Sequence, residues 1–189
     1  MERCKFAFVG APSTGKTTTF NALLASKWAI DHDLFGVQEI ARFCPYPLGE
    51  EANQQSQVWL LTEQMRQEMH FSQDYPFVMY DRSVFDCAVF AKVLCLWPGD
   101  AAAVFSLALS WHKLKPYQLL FWFRPKWCVQ NMLQKGSELF QRRIDDCFSD
   151  LFVKLQTFEP CLHVMEVTAG SVAERVCFVQ EKLTDLCQV

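Results

Sequence analysis

At 189 residues, the chain is long enough for one domain with a sizeable core and too short to add a second catalytic module. Hydrophobic residues make up 51% and charged residues 21%, which excludes a disordered chain. A net charge of -3 argues against capture of nucleic acid or anionic lipid by overall attraction, so any phosphate must be held by local groups.

Taken in chain order, short apolar runs alternate with helical segments. Lys5 to Val9 reads as a buried strand, and Lys16 to Ser26 as a helix opened by the loop before it. Asn53 to Phe71 carries Val58, Leu61, Met65 and Met69 at helical spacing after the Pro45-Tyr46-Pro47 break. Phe77 to Tyr80 is the next strand, introduced by Pro76. Two helices follow between Val84 and Trp111, divided by Trp97-Pro98-Gly99-Asp100. Gln118 to Phe123 is a strand stopped before Pro125, Ser137 to Phe158 a long helix, Leu162 to Val167 a strand and Val172 to Leu186 a terminal helix. Uniformly apolar strands separated by helices imply the three-layer α/β class, with a parallel sheet of about five strands covered on both faces, in a single domain spanning 1–189.

No apolar run reaches the roughly 18 to 20 residues of a spanning helix, and Phe6 to Val9 is too short for a signal peptide. A cytoplasmic location without membrane association is expected. The nine cysteines form no Cys-x-x-Cys pair and no zinc spacing with histidine, so they read as small hydrophobes kept reduced.

The most specific signal is Gly10-Ala11-Pro12-Ser13-Thr14-Gly15-Lys16-Thr17, a complete G-x-x-x-x-G-K-[ST] phosphate loop between a strand and a helix, with Thr18 next in the helix. Backbone N–H groups freed by Gly10 and Gly15 cradle phosphate, the helix N-terminus favours anions, Lys16 reaches the β and γ oxygens, and Thr17 offers its hydroxyl to Mg²⁺. ATP and Mg²⁺ are thus the expected cofactors. The absence of Asn-Lys-x-Asp argues against a Ras-like GTPase, and the length against an AAA+ machine with a helical lid domain.

Asp81 ends the second clear strand, where a carboxylate meets magnesium held by Thr17, and Arg82 and Ser83 follow it. Asp-Arg-Ser after an apolar strand resembles the Asp/Glu-Arg motif of thymidylate and deoxynucleoside kinases. The larger pattern resembles the NadR-like P-loop family, the nicotinamide-riboside kinase domain of bacterial NAD regulators, and its AAA-domain ATPase relatives. That pattern comprises the phosphate loop, Glu39-Ile-Ala-Arg42, a Gln-rich helix with Gln57, Gln64 and Glu68, Asp81-Arg82-Ser83 with Asp86, and Gln141-Arg142-Arg143.

The resemblance implies a P-loop NTPase fold in which Asp81 serves the metal or the acceptor hydroxyl and Arg82 contacts acceptor or phosphates. A surface pair of Arg82 with Asp86, with Asp81 capping a helix, is the plainer alternative. The segment from Val37 to Glu68 is expected to line the acceptor site. There Glu39 accepts a proton or binds a sugar, Arg42 shares its face, and Gln57 reads a base edge; an ordinary Glu39–Arg42 ion pair and a solvated glutamine face are the alternatives. The resemblance places a mobile lid at about 126–146, from which Arg142 or Arg143 reaches the phosphates; both pairing with nearby carboxylates is the alternative.

The function expected is Mg-ATP-dependent transfer of the γ-phosphoryl group to a nucleoside- or nucleotide-like small molecule, with Lys16, Asp81, Arg82 and a lid arginine catalytic. Two alternatives stand beside it: a nucleotide switch or ATPase subunit acting through a protein partner, and a kinase acting on a nucleotide within nucleic acid, which the acidic charge disfavours. The apolar 84–111 region is the candidate surface for a partner or for a second copy.

Overall fold

A computed structural model describes residues 3–94, 98–125, 135–159, 161–168 and 170–187. The chain runs β1 (Cys4–Val9), α1 (Lys16–Leu24), α2 (Lys27–Asp31), β2 (Leu34–Val37), two 3-10 turns (Ile40–Phe43 and Gly49–Glu51), α3 (Gln54–Asp74), β3 (Phe77–Tyr80), α4 (Val84–Val93), α5 (Pro98–Leu114), β4 (Leu119–Phe123), α6 (Lys135–Phe158), β5 (His163–Val167) and α7 (Val172–Cys187). All strand pairings are parallel, in the order β2-β3-β1-β4-β5. Each predicted strand and long helix is present within one or two residues at most ends. The additions are α2 and β2: Leu34-Phe35-Gly36-Val37 is a four-residue edge strand interrupted by glycine, too short for a periodic signal.

The strands are apolar throughout because both faces are covered, and alternation along β1 sorts the side chains. Phe6 and Phe8 point into a cluster with Phe20, Leu23, Met79, Phe121, Phe123, Val179 and Leu183, under α1 and α7. Phe8 lies 5.7 Å from Phe121 and 4.7 Å from Phe123 between ring centroids. Ala7 and Val9 face the opposite way, into a core shared with Val78, Tyr80, Leu120, Trp122 and the inner sides of α3 to α6. Much of the phenylalanine surplus is thus sheet-covering core, with Phe43 and Phe158 left exposed.

Helix α4 is buried along almost its whole length, packed among α3, α5 and α6. This corrects the reading of residues 84–111 as a candidate exposed docking face for 84–93: apart from Asp86, which is buried, and Lys92, which reaches solvent, the helix is apolar all round because it is packed on nearly every side. Among the described residues no helix is long and apolar enough to cross a membrane.

Candidate active site

Parallel strands deliver their C-terminal ends to one edge, and the site lies where β1 and β3 sit side by side there. The loop after β1 turns back at Gly10 (φ 128°), where a Cβ would run into the Phe123 carbonyl oxygen, and enters α1 at Gly15 (φ 88°), so both glycines are required by backbone shape. Lys16 is buried, and its ammonium donates to the Gly10 carbonyl (2.9 Å), the Ala11 carbonyl and Thr14 Oγ1 (3.2 Å). Burial lowers its pKa from 10.5 to about 7, helped by the Arg82 charge and opposed by Asp86, Asp81 and Glu39.

Thr17 donates its hydroxyl to Asp81 Oδ2 at 2.7 Å, which joins the phosphate loop to the end of β3. Asp81 is 2% exposed, its N–H is bound to the Val37 carbonyl at 2.9 Å, and its Oδ1 has no hydrogen-bond partner. Burial pushes the carboxyl up, the Thr17 hydroxyl holding it down in part. A buried carboxylate oxygen without a donor, beside a threonine hydroxyl aligned on its other oxygen, fits a hard, oxygen-seeking cation such as Mg²⁺.

Arg82 occupies the centre. Its Nε donates to Glu39 Oε1 (2.8 Å), and its Nη1 to Asp86 Oδ1 (3.1 Å) and the Gly10 carbonyl (3.1 Å). Burial works against its charge, but Asp86 and Glu39 outweigh that and hold its pKa above the ordinary guanidinium value. The pair with Asp86 exists, inside the cavity rather than on the surface, and Ser83 with Asp86, not Asp81, caps α4 in a reciprocal capping box. Glu39 pairs with Arg82, so the alternative i, i+3 pair with Arg42 gives way to a link between the β2 and β3 loops.

These groups share a cavity of about 520 Å³. Its lining combines the phosphate loop from Pro12 to Thr18 with Glu39, Arg42, Gln57, Leu60, Gln64, Arg82 and Phe90. Asp81 lies beneath Thr17 and outside the cavity wall. Gln57 is 2% exposed and its Oε1 has no partner, whereas Gln54 and Gln55 lie exposed, so one glutamine of the three is turned inward.

Arg142 and Arg143 do not border the cavity. Arg142 donates to Glu138 at 2.7 Å along α6, and Arg143 to the Val93 carbonyl at the end of α4. Of the lid expected at 126–146, residues 126–134 lie outside the described residues, and 135–146 form the first turns of α6. Sequence reading missed Arg175, whose Nη1 lies over Gly15 and donates to the Thr14 carbonyl at 3.2 Å. It sits on α7, far from any motif, and no sequence signal marks it.

The fold has solved counterparts. A NadR protein in complex with NAD and AMP-PNP superposes with TM-score 0.73 at 15% identity, over 99% of this chain and 50% of that one, so the chain spans about half of NadR. Deoxyadenosine kinase from M. mycoides gives 0.67 at 15% identity, covering 96% of this chain and 99% of its own. Thymidylate kinase from Ehrlichia chaffeensis gives 0.61 at 14%, covering 97% and 100%. Likeness at this level shows the fold, which is the three-layer P-loop NTPase fold with a five-stranded parallel sheet. No curated protein sequence matches the chain significantly. Residues 5–175 match the AAA domain family, and the chain belongs to that family.

Proposed function

We propose that the protein is a Mg-ATP-dependent phosphotransferase that moves the γ-phosphoryl group of ATP to a hydroxyl of a nucleoside- or nucleotide-like small molecule. The observation that carries this reading is the single cavity that joins a phosphate loop to a pocket walled by Leu60 and Phe90 and equipped with Glu39, Gln57 and Arg82. A nucleotide switch needs no second compartment; a kinase needs one adjoining its γ-phosphate site. The solved relatives support the class of acceptor, since one NadR structure holds NR and the deoxyadenosine kinase holds dCMP.

In this reading the backbone of Pro12 to Thr18 and the Lys16 ammonium hold the donor phosphates, and Lys16 leaves the Gly10 and Ala11 carbonyls to do so. Thr17 and Asp81 hold Mg²⁺, which neutralises charge on the phosphate oxygens. Glu39 lies across the cavity, where a carboxylate accepts the proton of the attacking hydroxyl as the bond from γ-phosphorus to the bridging oxygen breaks and ADP leaves. Arg82, bound to both Glu39 and the loop carbonyl of Gly10, spans donor and acceptor and stabilises charge spreading over the moving group. The unpartnered Gln57 oxygen accepts from an amino or amide donor on the acceptor.

Incubation with γ-labelled ATP, Mg²⁺ and a panel of nucleosides, nucleotides and nicotinamide riboside tests the proposal. Label appearing on one acceptor, and lost in Lys16→Ala, is the expected result; slow hydrolysis indifferent to every acceptor would overturn it.

A further inference from the structure

The Asp81-Arg82-Ser83 turn is supported by a second set of buried groups that the proposed chemistry leaves unused. Arg82 has φ 151°, a backbone conformation that side-chain-bearing residues hold only when their surroundings enforce it. Behind it, Glu68 of α3 is completely buried, and each of its oxygens takes two donors. Oε2 accepts from Lys5 Nζ of β1 and Trp111 Nε1 of α5, both at 2.7 Å. Oε1 accepts from Gln64 Nε2 at 2.9 Å and from the Tyr117 hydroxyl.

Two of those donors make a further bond, and both land on the turn. Gln64 Nε2 also donates to the Arg82 carbonyl at 3.2 Å, and the Tyr117 oxygen accepts the Val84 N–H at 3.1 Å. The carbonyl of Arg82 and the amide of Val84 flank Ser83, so the turn is gripped on both sides. With its charge met by Lys5 and all four donors in place, the carboxylate fixes the directions of the Gln64 amide and the Tyr117 hydroxyl.

We propose that Glu68, acting through Gln64 and Tyr117, is a positioning device that holds Arg82 in its strained conformation and so aims its guanidinium at Glu39, Asp86 and the Gly10 carbonyl. The inference rests on the phosphotransferase reading only for its effect on rate; the positioning itself is a statement about the molecule. Tyr117 is 1% exposed and does not border the cavity, whereas Gln64 does, so Tyr117→Phe isolates the effect of the turn from any direct contact with a bound substrate.

Removing Glu68 would strip the buried Lys5 of its carboxylate partner and disturb the core, so the informative variants are Gln64→Met and Tyr117→Phe, each of which deletes one grip and leaves the Lys5–Glu68 pair. The Nε–H of Arg82, identified in a nitrogen–proton spectrum by its absence in Arg82→Lys, reports on the aim of the guanidinium. Both variants are expected to speed its exchange with water about tenfold, to change Mg-ADP affinity by less than about twofold, and to lower kcat about tenfold with KM for ATP nearly constant. Variants that melt earlier yet keep the Arg82 signal protected and kcat intact would overturn the proposal, because the network would then serve the fold alone. If the wild type phosphorylates no acceptor, the phosphotransferase reading fails, and the Arg82 exchange rate still decides whether Gln64 and Tyr117 position it.

Discussion

Lys16 offers a quantitative test of how the phosphate loop works. With its side chain buried and its nitrogen facing two carbonyls and one hydroxyl, the lysine pKa stands at about 7 before any phosphate arrives. A nucleotide supplies negative charge at that nitrogen and draws the pKa back toward its ordinary 10.5, so binding above pH 7 takes up a proton. At pH 8 a group with a pKa of about 7 is about nine-tenths neutral, so about 0.9 proton is taken up per ADP bound. Affinity is then expected to fall about fivefold between pH 7 and 8 and to approach tenfold, about 1.4 kcal/mol, for the next unit.

Calorimetric titration with Mg-ADP at pH 8, in buffers of different ionisation heat, gives the proton count directly, since ADP itself is ionised there. Lys16→Arg keeps a permanent charge and is the control, with expected uptake near zero. Uptake near zero in the wild type, or equal uptake in both proteins, would refute the argument that burial suppresses the lysine charge.

Three other expectations follow from the geometry. Asp81→Asn keeps the shape of the Thr17 contact but removes the charge, so the Mg²⁺ dependence of nucleotide affinity is expected to weaken by about tenfold or more in a metal titration; unchanged dependence would remove Asp81 from the metal site. Gln57→Leu deletes a buried oxygen that has no partner, so thermal stability is expected to hold or rise while KM for the acceptor rises about tenfold and KM for ATP stays constant; a fall in stability with constant KM would make Gln57 a core residue. Phe8→Ala, at the centre of the phenylalanine cluster, is expected to cost about 3 to 5 kcal/mol in denaturant unfolding; a loss under about 1 kcal/mol would mean the cluster repacks freely.

What was legible in the sequence follows from how local each signal is. The phosphate loop is a contiguous motif whose glycines, lysine and threonine act within a single turn, and it folds as read. Apolar strands and amphipathic helices announce themselves by period, whereas β2 has only four residues and a glycine, and is defined by its pairing with β3. Spacing along the chain offers only near neighbours as ion-pair partners, such as Arg42 for Glu39; the structure pairs Glu39 with Arg82, 43 positions away, because parallel β2 and β3 deliver both to the same edge. Gln57 turned inward rather than to solvent for a comparable reason, since the tilt of α3 against the site is a tertiary fact. The resemblance brings Arg142 or Arg143 to the phosphates from a lid, whereas the first turns of α6 hold Arg142 against Glu138 and Arg143 against the Val93 carbonyl. The role of Glu68 lay beyond sequence reading because its four donors come from β1, α3, α5 and the residue pair before β4.

Phosphoryl transfer within one cavity produces ADP and phosphorylated acceptor together, and both are counted in the same tube. With γ-labelled ATP and the acceptor selected from the panel, one phosphorylated acceptor is expected for each ADP formed, and ADP formation without acceptor slower by on the order of a hundredfold. ADP appearing at the same rate with and without acceptor, and no label on any acceptor, would contradict it.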